Sequence, residues 1–336
     1  MAKVMESAAA QAEVKEMSLQ EALREAMRYE MARDERVFIM GEDVALFGGA
    51  YGVTRGLMQE FGADRVRDTP ISEAAIIGLA IGAAINGIRP VVEIQFCDLL
   101  PLCMDQLVTH AARYYYQTGG RISVPMVVRN KFGSRPGGGP SHSSCNHGAF
   151  IHFPGLKIIV PGTPADGKGL LLSAIRDPNP VLCFESHHLY CVRGPVPNGD
   201  YTVPIGVATV RREGKDLTMI TCGGMVLKAD AAAEKLKDRG IDSEIIDLRS
   251  LAPLDKKTIL NSVAKTKRAM VVDEGPMVGG LTSEIAAVIQ ENLFSDLKGP
   301  VIRVGTYFLP PPHSPPLMEA IVPTVDRIVS LALRLL

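Results

Sequence analysis

The chain has 336 residues, a formal net charge of −1 and 46% hydrophobic residues, enough for more than one domain and a substantial core. Balanced charge without a long Lys/Arg block argues against nucleic acid or an anionic membrane as partner, and no apolar run reaches the roughly 18 uninterrupted residues of a membrane span. Six scattered cysteines, Cys97, Cys103, Cys145, Cys183, Cys191 and Cys222, form no CxxC pair and predict reduced thiols in a cytoplasmic protein.

The N-terminal MAKVMESAAAQAEVKE lacks a continuous apolar segment and carries several glutamates, so it reads as a loose tail over residues 1–15 rather than a signal or transit peptide. From Ser18, LQEALREAMRYEMA has helical periodicity behind a serine cap, and RVFIMGEDV reads as a short buried strand followed by a loop with FGGAYG. A small-residue helix begins near Glu73. Then come a strand at PVVEIQF, a helix around LPLCMDQLVTHAARYYYQTGG, a strand at VPMVVRN, a glycine-rich loop SRPGGGPSHSSCNHG and a strand at LKIIVP. A helix in TPADGKGLLLSAIRDPNP and a strand at VLCFES close a first domain over 16–191. Proline, glycine and charge mark a linker over 192–216, and a second helix–strand alternation fills 217–336. The expected architecture is two α/β domains with sheets covered on both faces.

RDTPISEAAIIGLAIGAAING places a single acid, Glu73, at the mouth of a helix with no further charge before Arg89. Asp68 or Thr69 can cap it, Pro70 suits a first turn, and the helix dipole favours a carboxylate there. Glycines at 78 and 82 each cost roughly 1 kcal/mol against alanine, which predicts a helix buried on most sides with another backbone close by. The loop GSRPGGGPSHSSCNHG can converge amides on an anion, but it fits neither GxxxxGK[ST] nor a strand-linked GxGxxG, and reads better as an active-site loop. His142, His147 and His152 at five-residue spacing match no zinc pattern. A loop histidine beside serines can instead donate a proton. No GxSxG elbow, kinase set or dinucleotide fingerprint is present.

Taken in order, GEDVALFGGAYGVTRGL, DRVRDTPISEAAIIGLAIGAAINGIRPVVEIQF, the Asp105–Gln106 pair, GGGPSHSS, FPGLKIIVPGTPADGKGLLLSAIRDPNPV and PTVDRI resemble the beta subunit of thiamine-diphosphate-dependent 2-oxoacid dehydrogenases, over nearly the whole chain after the tail. The resemblance implies a transketolase-like pyrimidine-binding domain followed by a transketolase C-terminal domain. It also implies a heterotetramer of two alpha and two beta chains, with thiamine diphosphate shared between them. Glu73 matches the glutamate that hydrogen-bonds the cofactor's aminopyrimidine. His142 matches the histidine that assists acyl transfer to a lipoyl group, Glu42 an acidic position between the cofactor sites, and Gln95 and Leu99 the lining of the pyrimidine pocket, with Leu99 in place of the usual aromatic residue. Met126, Ala174, Ile175, Asp177 and Asn179 match a potassium-binding loop of some members, where mainly carbonyl oxygens hold a hard cation. The GDG motif that holds diphosphate and magnesium is absent, as expected if the alpha chain supplies it.

The resemblance therefore implies oxidative decarboxylation of a 2-oxo acid, with pyruvate as the expected substrate and lipoyl-lysine of a dihydrolipoyl acyltransferase core as acceptor. Two alternatives stand beside it: an acetoin dehydrogenase beta chain, and a non-catalytic assembly subunit that kept the fold.

Overall fold

A computed structural model of the chain describes residues 14–135 and 137–335. The expected tail lies outside the described residues up to residue 13. Val14 and Lys15 instead open a strand, β1 (Val14–Ser18), which pairs antiparallel with Arg193–Pro197. That pairing gives structure to the first part of the stretch expected as a linker.

The first domain is built on six strands that run parallel to one another: β2 (Val37–Gly41), β3 (Val66–Asp68), β4 (Arg89–Phe96), β5 (Val127–Phe132), β6 (Lys157–Ile159) and β7 (Val181–Ser186). Every residue of β5 and β7 is buried, as a sheet covered on both faces requires. One covering layer is the Leu19–Arg33 helix, which starts in a capping box: Ser18 Oγ accepts from Glu21 N at 3.2 Å and Glu21 Oε2 accepts from Ser18 N at 2.8 Å. Its stripe Leu19, Leu23, Ala26 and Met27 faces the Pro164–Arg176 helix. The two helices pack so closely that a Cβ at Gly167 would stand 2.4 Å from Leu19 Cδ1.

The second domain follows β8 (Arg193–Pro197) with β9 (Thr209–Arg212), β10 (Leu217–Thr221), β11 (Ser243–Asp247), β12 (Ser250–Ala252), β13 (Ala269–Pro276) and β14 (Ile302–Thr306). Five of them form a sheet in the order β14-β13-β10-β11-β9, parallel except for β9 at the edge. The sixth, β12, leaves that sheet and pairs antiparallel with β6, so the larger sheet runs β12-β6-β7-β5-β4-β2-β3. The two domains are thereby stitched together. Within the expected linker the strands occupy 193–197 and 209–212, and Val203 N donates to Gly169 O at 3.1 Å between them.

One element differs from its sequence pattern. The helix expected from Leu100 onward is broken into a 3-10 segment Cys97–Cys103, a π-helical segment Asp105–Ala111 and a single turn Tyr114–Gln117. Pro101 lies inside the first segment, where it has no N–H to donate to an α-helical ladder.

At the centre of the larger sheet lies a buried ionic network. Arg129 Nη1 meets Glu93 Oε2 at 2.9 Å, while its Nε and Nη2 bind the two oxygens of Glu185 at 2.7 and 2.9 Å. Tyr190 Oη donates to Glu185 at 2.7 Å, and Glu93 accepts from Ala50 N at 3.2 Å. Burial opposes the guanidinium charge, but Glu185 and then Glu93 outweigh it and hold Arg129 charged. We predict that Arg129→Met costs about 3–5 kcal/mol of unfolding free energy, because two buried carboxylates lose their cation together. Urea unfolding measures this; a loss below about 1 kcal/mol would contradict the role given to the network.

Candidate active site

Glu73 opens the helix Glu73–Ile85, but neither expected cap is used. Ser72 stands at the N-cap without a side-chain bond, Pro70 precedes the helix, and Asp68 accepts from Ala45 N at 2.7 Å and Leu46 N at 3.3 Å instead. Asp68 thus fixes the loop that leads away from Glu42. Glu73 is only 8% exposed, and among the described residues nothing hydrogen-bonds its carboxylate. Its neighbour Glu42 is half-buried, and its carboxyl is raised by burial and then by the charges of Glu73, Asp43 and Glu93.

The helix is buried on one side, not on most sides as its composition suggested. Ile76, Ile77, Ala80, Ile81 and Ala84 enter the core, whereas Leu79 is 64% exposed and Ile71, just before the helix, 81%. A Cβ at Gly82 would meet nothing within 4 Å, and one at Gly78 only Gln106 Cγ at 4.0 Å. Leu46, Phe47 and Leu102 are also exposed. The close backbone implied by the glycines is therefore not within this chain, and the carboxylate sits beside an apolar face that the chain leaves uncovered.

His142 lies on the loop after β5. Its ring stands edge-on to Phe96 at 4.4 Å between centroids, Ser141 Oγ is 3.0 Å from its Nδ1, and the side chain is exposed. The loop is held from both domains. Asp98 accepts from Ser144 N at 3.2 Å, and Glu274 of β13 accepts from Ser134 N and Oγ, both at 2.7 Å, and lies 3.0 Å from His188 Nε2. Burial works against the Glu274 charge, but His188 and Ser134 keep its carboxyl down at about 2. From the second domain the ring of His313 fills the space a side chain at Gly139 would need, 2.1 Å from the position of a Cβ.

The three loop histidines do not converge. His147 is fully buried at the domain seam, 3.0 Å from Asp273 Oδ1 and 3.2 Å from Cys145 Sγ, and His152 packs on Phe153. Gln95 is half-buried and lines a narrow space with Tyr51, Glu93, Arg129 and Lys131. Leu99 is half-buried against the main apolar core.

A group that the sequence pattern did not single out lies beside Phe96. Lys131 Nζ and Arg135 Nη1 both donate to the phenol oxygen of Tyr51, and Lys131 Nζ stands 3.8 Å from the Phe96 ring centroid and 4.2 Å from that of Tyr51. Lys131 is 2% exposed. Burial and then Arg135 lower its pKa to about 7, and burial followed by Lys131, His188 and Arg135 brings His187 down to about 4. The only textual trace was two basic residues flanking the glycines of NKFGSRPGGG.

The five positions matched to a potassium loop come together at one end of the sheet, where the carbonyls of Met126, Ala174, Ile175 and Asp177 each accept a hydrogen bond. Arg89 Nη1 donates to Ile175 O at 2.7 Å and Asp177 O at 3.2 Å, Asp177 N to Ala174 O at 3.2 Å, and Val181 N to Met126 O at 3.0 Å. Lys157 Nζ binds the Asp177 carboxylate, whose other oxygen accepts from Asn179 N at 2.8 Å. Two resident cations already face this loop, so its residues do not fit a further cation as they stand. By contrast, a buried carboxylate without a partner, next to an open apolar face, fits one half of a site for an aromatic cofactor.

Comparison with known proteins agrees with both domains. Residues 15–193 match the transketolase pyrimidine-binding domain and residues 206–328 the transketolase C-terminal domain. The chain is 42% identical over 332 residues to the acetoin:2,6-dichlorophenolindophenol oxidoreductase beta subunit of Bacillus subtilis (strain 168), covering 95% of this chain and 97% of that one. It is 42% identical to the 2-oxoisovalerate dehydrogenase beta subunit of the same strain, covering 93% and 96%. With the pyruvate dehydrogenase E1 beta subunit of Rhizobium meliloti (strain 1021) it shares 43% identity, covering 94% and 69%. A solved split-gene transketolase, described as an inactive beta4 tetramer, superposes with TM-score 0.78 at 22% identity over 95% of this chain and 98% of that one, a likeness of fold.

Proposed function

The chain belongs to the family of transketolase-like beta subunits of 2-oxo acid and acetoin dehydrogenases, and on that premise we propose that it is the beta subunit of an enzyme that oxidatively decarboxylates a 2-oxo acid together with an alpha chain. The observation that carries this reading is Glu73, a buried carboxylate with no partner in its own chain, set beside an apolar face that lacks a cover. Thiamine diphosphate, when bound, supplies an electron sink for the carbon that loses carbon dioxide.

In the proposed site Glu73 accepts a hydrogen bond from the cofactor's pyrimidine nitrogen and holds that nitrogen protonated. The low surrounding polarity strengthens this bond because water does not screen it. Glu42, with its carboxyl raised by burial and then by the charge of Glu73, is placed to hold a proton near the same acid. Gln95 and Leu99 contribute to the wall, and His142 delivers a proton to a lipoyl sulfur. Magnesium and the diphosphate fall to the alpha chain. Potassium is not part of the proposal, since Arg89 and Lys157 supply positive charge to the loop where it was expected.

The proposed assembly has two alpha and two beta chains docked on a dihydrolipoyl acyltransferase core. The cytoplasm is the proposed compartment, in keeping with six unpaired cysteines. Among the described residues no helix is long and apolar enough to cross a membrane. An acetoin-cleaving enzyme remains the alternative because the relative carrying that name shares 42% identity. A non-catalytic subunit has no use for an unpaired buried acid.

Reduction of an artificial electron acceptor by the reconstituted alpha–beta pair tests the proposal: turnover of pyruvate or another 2-oxo acid is expected, and none with any such acid would overturn it. The uncovered face leads to a second expectation. Expressed alone, this chain self-associates, and adding the alpha chain replaces those species with a defined heterotetramer. A monodisperse monomer indifferent to the alpha chain in sedimentation would contradict that.

A further inference from the structure

We infer that Lys131 and Arg135, joined at Tyr51, form an anion subsite that captures the carboxylate of the substrate, so that the enzyme selects an anionic 2-oxo acid over neutral acetoin. The inference deepens the proposed function and rests on it.

Three observations lead to it. First, the two cations are unpaired: among the described residues neither forms an ion pair with a carboxylate, and their shared acceptor is a neutral phenol oxygen. Tyr51 stays neutral because burial raises its pKa more than Arg135 lowers it. The one carboxylate whose charge acts on Lys131 is Asp98, and it is engaged with the amide of Ser144. Burial without a counter-ion makes the Lys131 ammonium costly and brings its pKa down to about 7, and an arriving anion favours the charged form again. Arg129, one strand position pair away from Lys131 on β5, shows the contrast, since it is buried as deeply and carries two carboxylates.

Second, the pair stands at the candidate active site. Phe96 has the His142 ring on one contact at 4.4 Å and the Lys131 ammonium on another at 3.8 Å, and the Arg135 guanidinium carbon lies 5.9 Å from the same ring. Arg135 and Tyr51 are half-buried and form the accessible rim, with Lys131 behind them. Third, the support is rigid. Tyr51 rides on a loop tied to the central network through Ala50 N and Glu93, and a Cβ at Gly49 would stand 2.8 Å from Glu93 Oε1. A substrate carboxylate would thus meet positioned donors rather than a mobile surface lysine.

The subsite acts on capture and not on bond breaking. Cations that bind the carboxylate stabilise the bound substrate, while the charge leaves that group as carbon dioxide departs. Removing them should raise KM and leave kcat at or above its former value, a split that a general loss of structure does not produce. Acetoin carries no charge and has no use for the pair.

The test uses the reconstituted alpha–beta enzyme loaded with thiamine diphosphate, with pyruvate, 2-oxobutyrate and acetoin as substrates. For the intact enzyme, kcat/KM for a 2-oxo acid should exceed that for acetoin. Lys131→Met and Arg135→Gln should each raise KM for the 2-oxo acid about 10- to 100-fold, as expected for one lost charge-assisted hydrogen bond. Each should also lower the ratio of kcat/KM for the 2-oxo acid to that for acetoin by a similar factor. The conservative Arg135→Lys should recover part of the loss. A preference for acetoin in the intact enzyme, or a KM that stays within about 2-fold in both variants, overturns the inference while leaving the dehydrogenase reading in place. Failure of the variants to assemble with the alpha chain, at unchanged KM in whatever enzyme forms, also overturns it and assigns the cations to a carboxylate of the partner. Turnover of no substrate by the intact pair overturns both.

Discussion

Glu73→Gln lowers turnover of the reconstituted enzyme by about 100- to 1000-fold, the range seen when a single preorganised polar partner of a reacting centre is removed. The side chains are nearly the same size, so the Gln variant keeps the packing of Ile76 and Ile77 behind it and the assembly with the alpha chain. What changes is the sign of the partnership. A carboxylate beside a pyrimidine nitrogen stabilises the protonated form, while an amide cannot supply that charge. The difference is large because Glu73 is only 8% exposed in this chain and a docked alpha chain would leave little water to take its place. Cofactor affinity should change little, since in the proposed site the diphosphate is held by the alpha chain. Hydrogen–deuterium exchange at the thiazolium carbon separates this from a slow later step: it should slow with turnover, and exchange at the unmutated rate would remove Glu73 from this role.

The second large effect is selective. His142→Ala should lower acyl transfer to a lipoyl domain about 100-fold, within the usual range for a positioned general acid, and lower decarboxylation with an artificial electron acceptor less than about 5-fold. The sulfur of an opening dithiolane needs a proton, whereas loss of carbon dioxide is driven by the electron sink. The structure places this histidine suitably: exposed, edge-on to Phe96, and carried by a loop fastened through Ser134 to Glu274 and through Ser144 to Asp98. A histidine that merely packs near the cofactor would lower both half-reactions equally, and that result would end the proton-transfer assignment.

Much of this was legible in the chain because it is written in local patterns. Apolar strands at PVVEIQF and VLCFES, the Ser18 cap with Glu21 three residues on, and the isolated acid at Glu73 each follow from neighbours in sequence. What sequence could not supply was pairing over distance. Ser250–Ala252 looks like part of the second domain but completes the sheet of the first, and Val14–Ser18 closes on a strand that begins at Arg193. The same limit applies at the site. Tyr51 lies far in sequence from Lys131 on β5 and from Arg135 just after that strand, so no spacing marks the three as a group. The burial that the glycines at 78 and 82 suggest is not found within this chain, since composition does not say which chain would provide a neighbour. At the loop matched to potassium, Arg89 and Lys157, distant in sequence, bind oxygens of Ile175 and Asp177, contacts that no local spacing shows.

Thiamine diphosphate titration tests whether this chain holds half of a cofactor site whose other half lies on an alpha chain. Binding is followed calorimetrically, with magnesium present, for this chain alone, for the alpha chain alone and for the two mixed at equal concentration. The account predicts saturable binding of one cofactor per alpha–beta pair in the mixture, at least about 100-fold tighter than in either separate chain, since each alone offers only part of the contacts. Equal affinity for the alpha chain with and without this partner would contradict it, and would leave Glu73 a buried acid without a task.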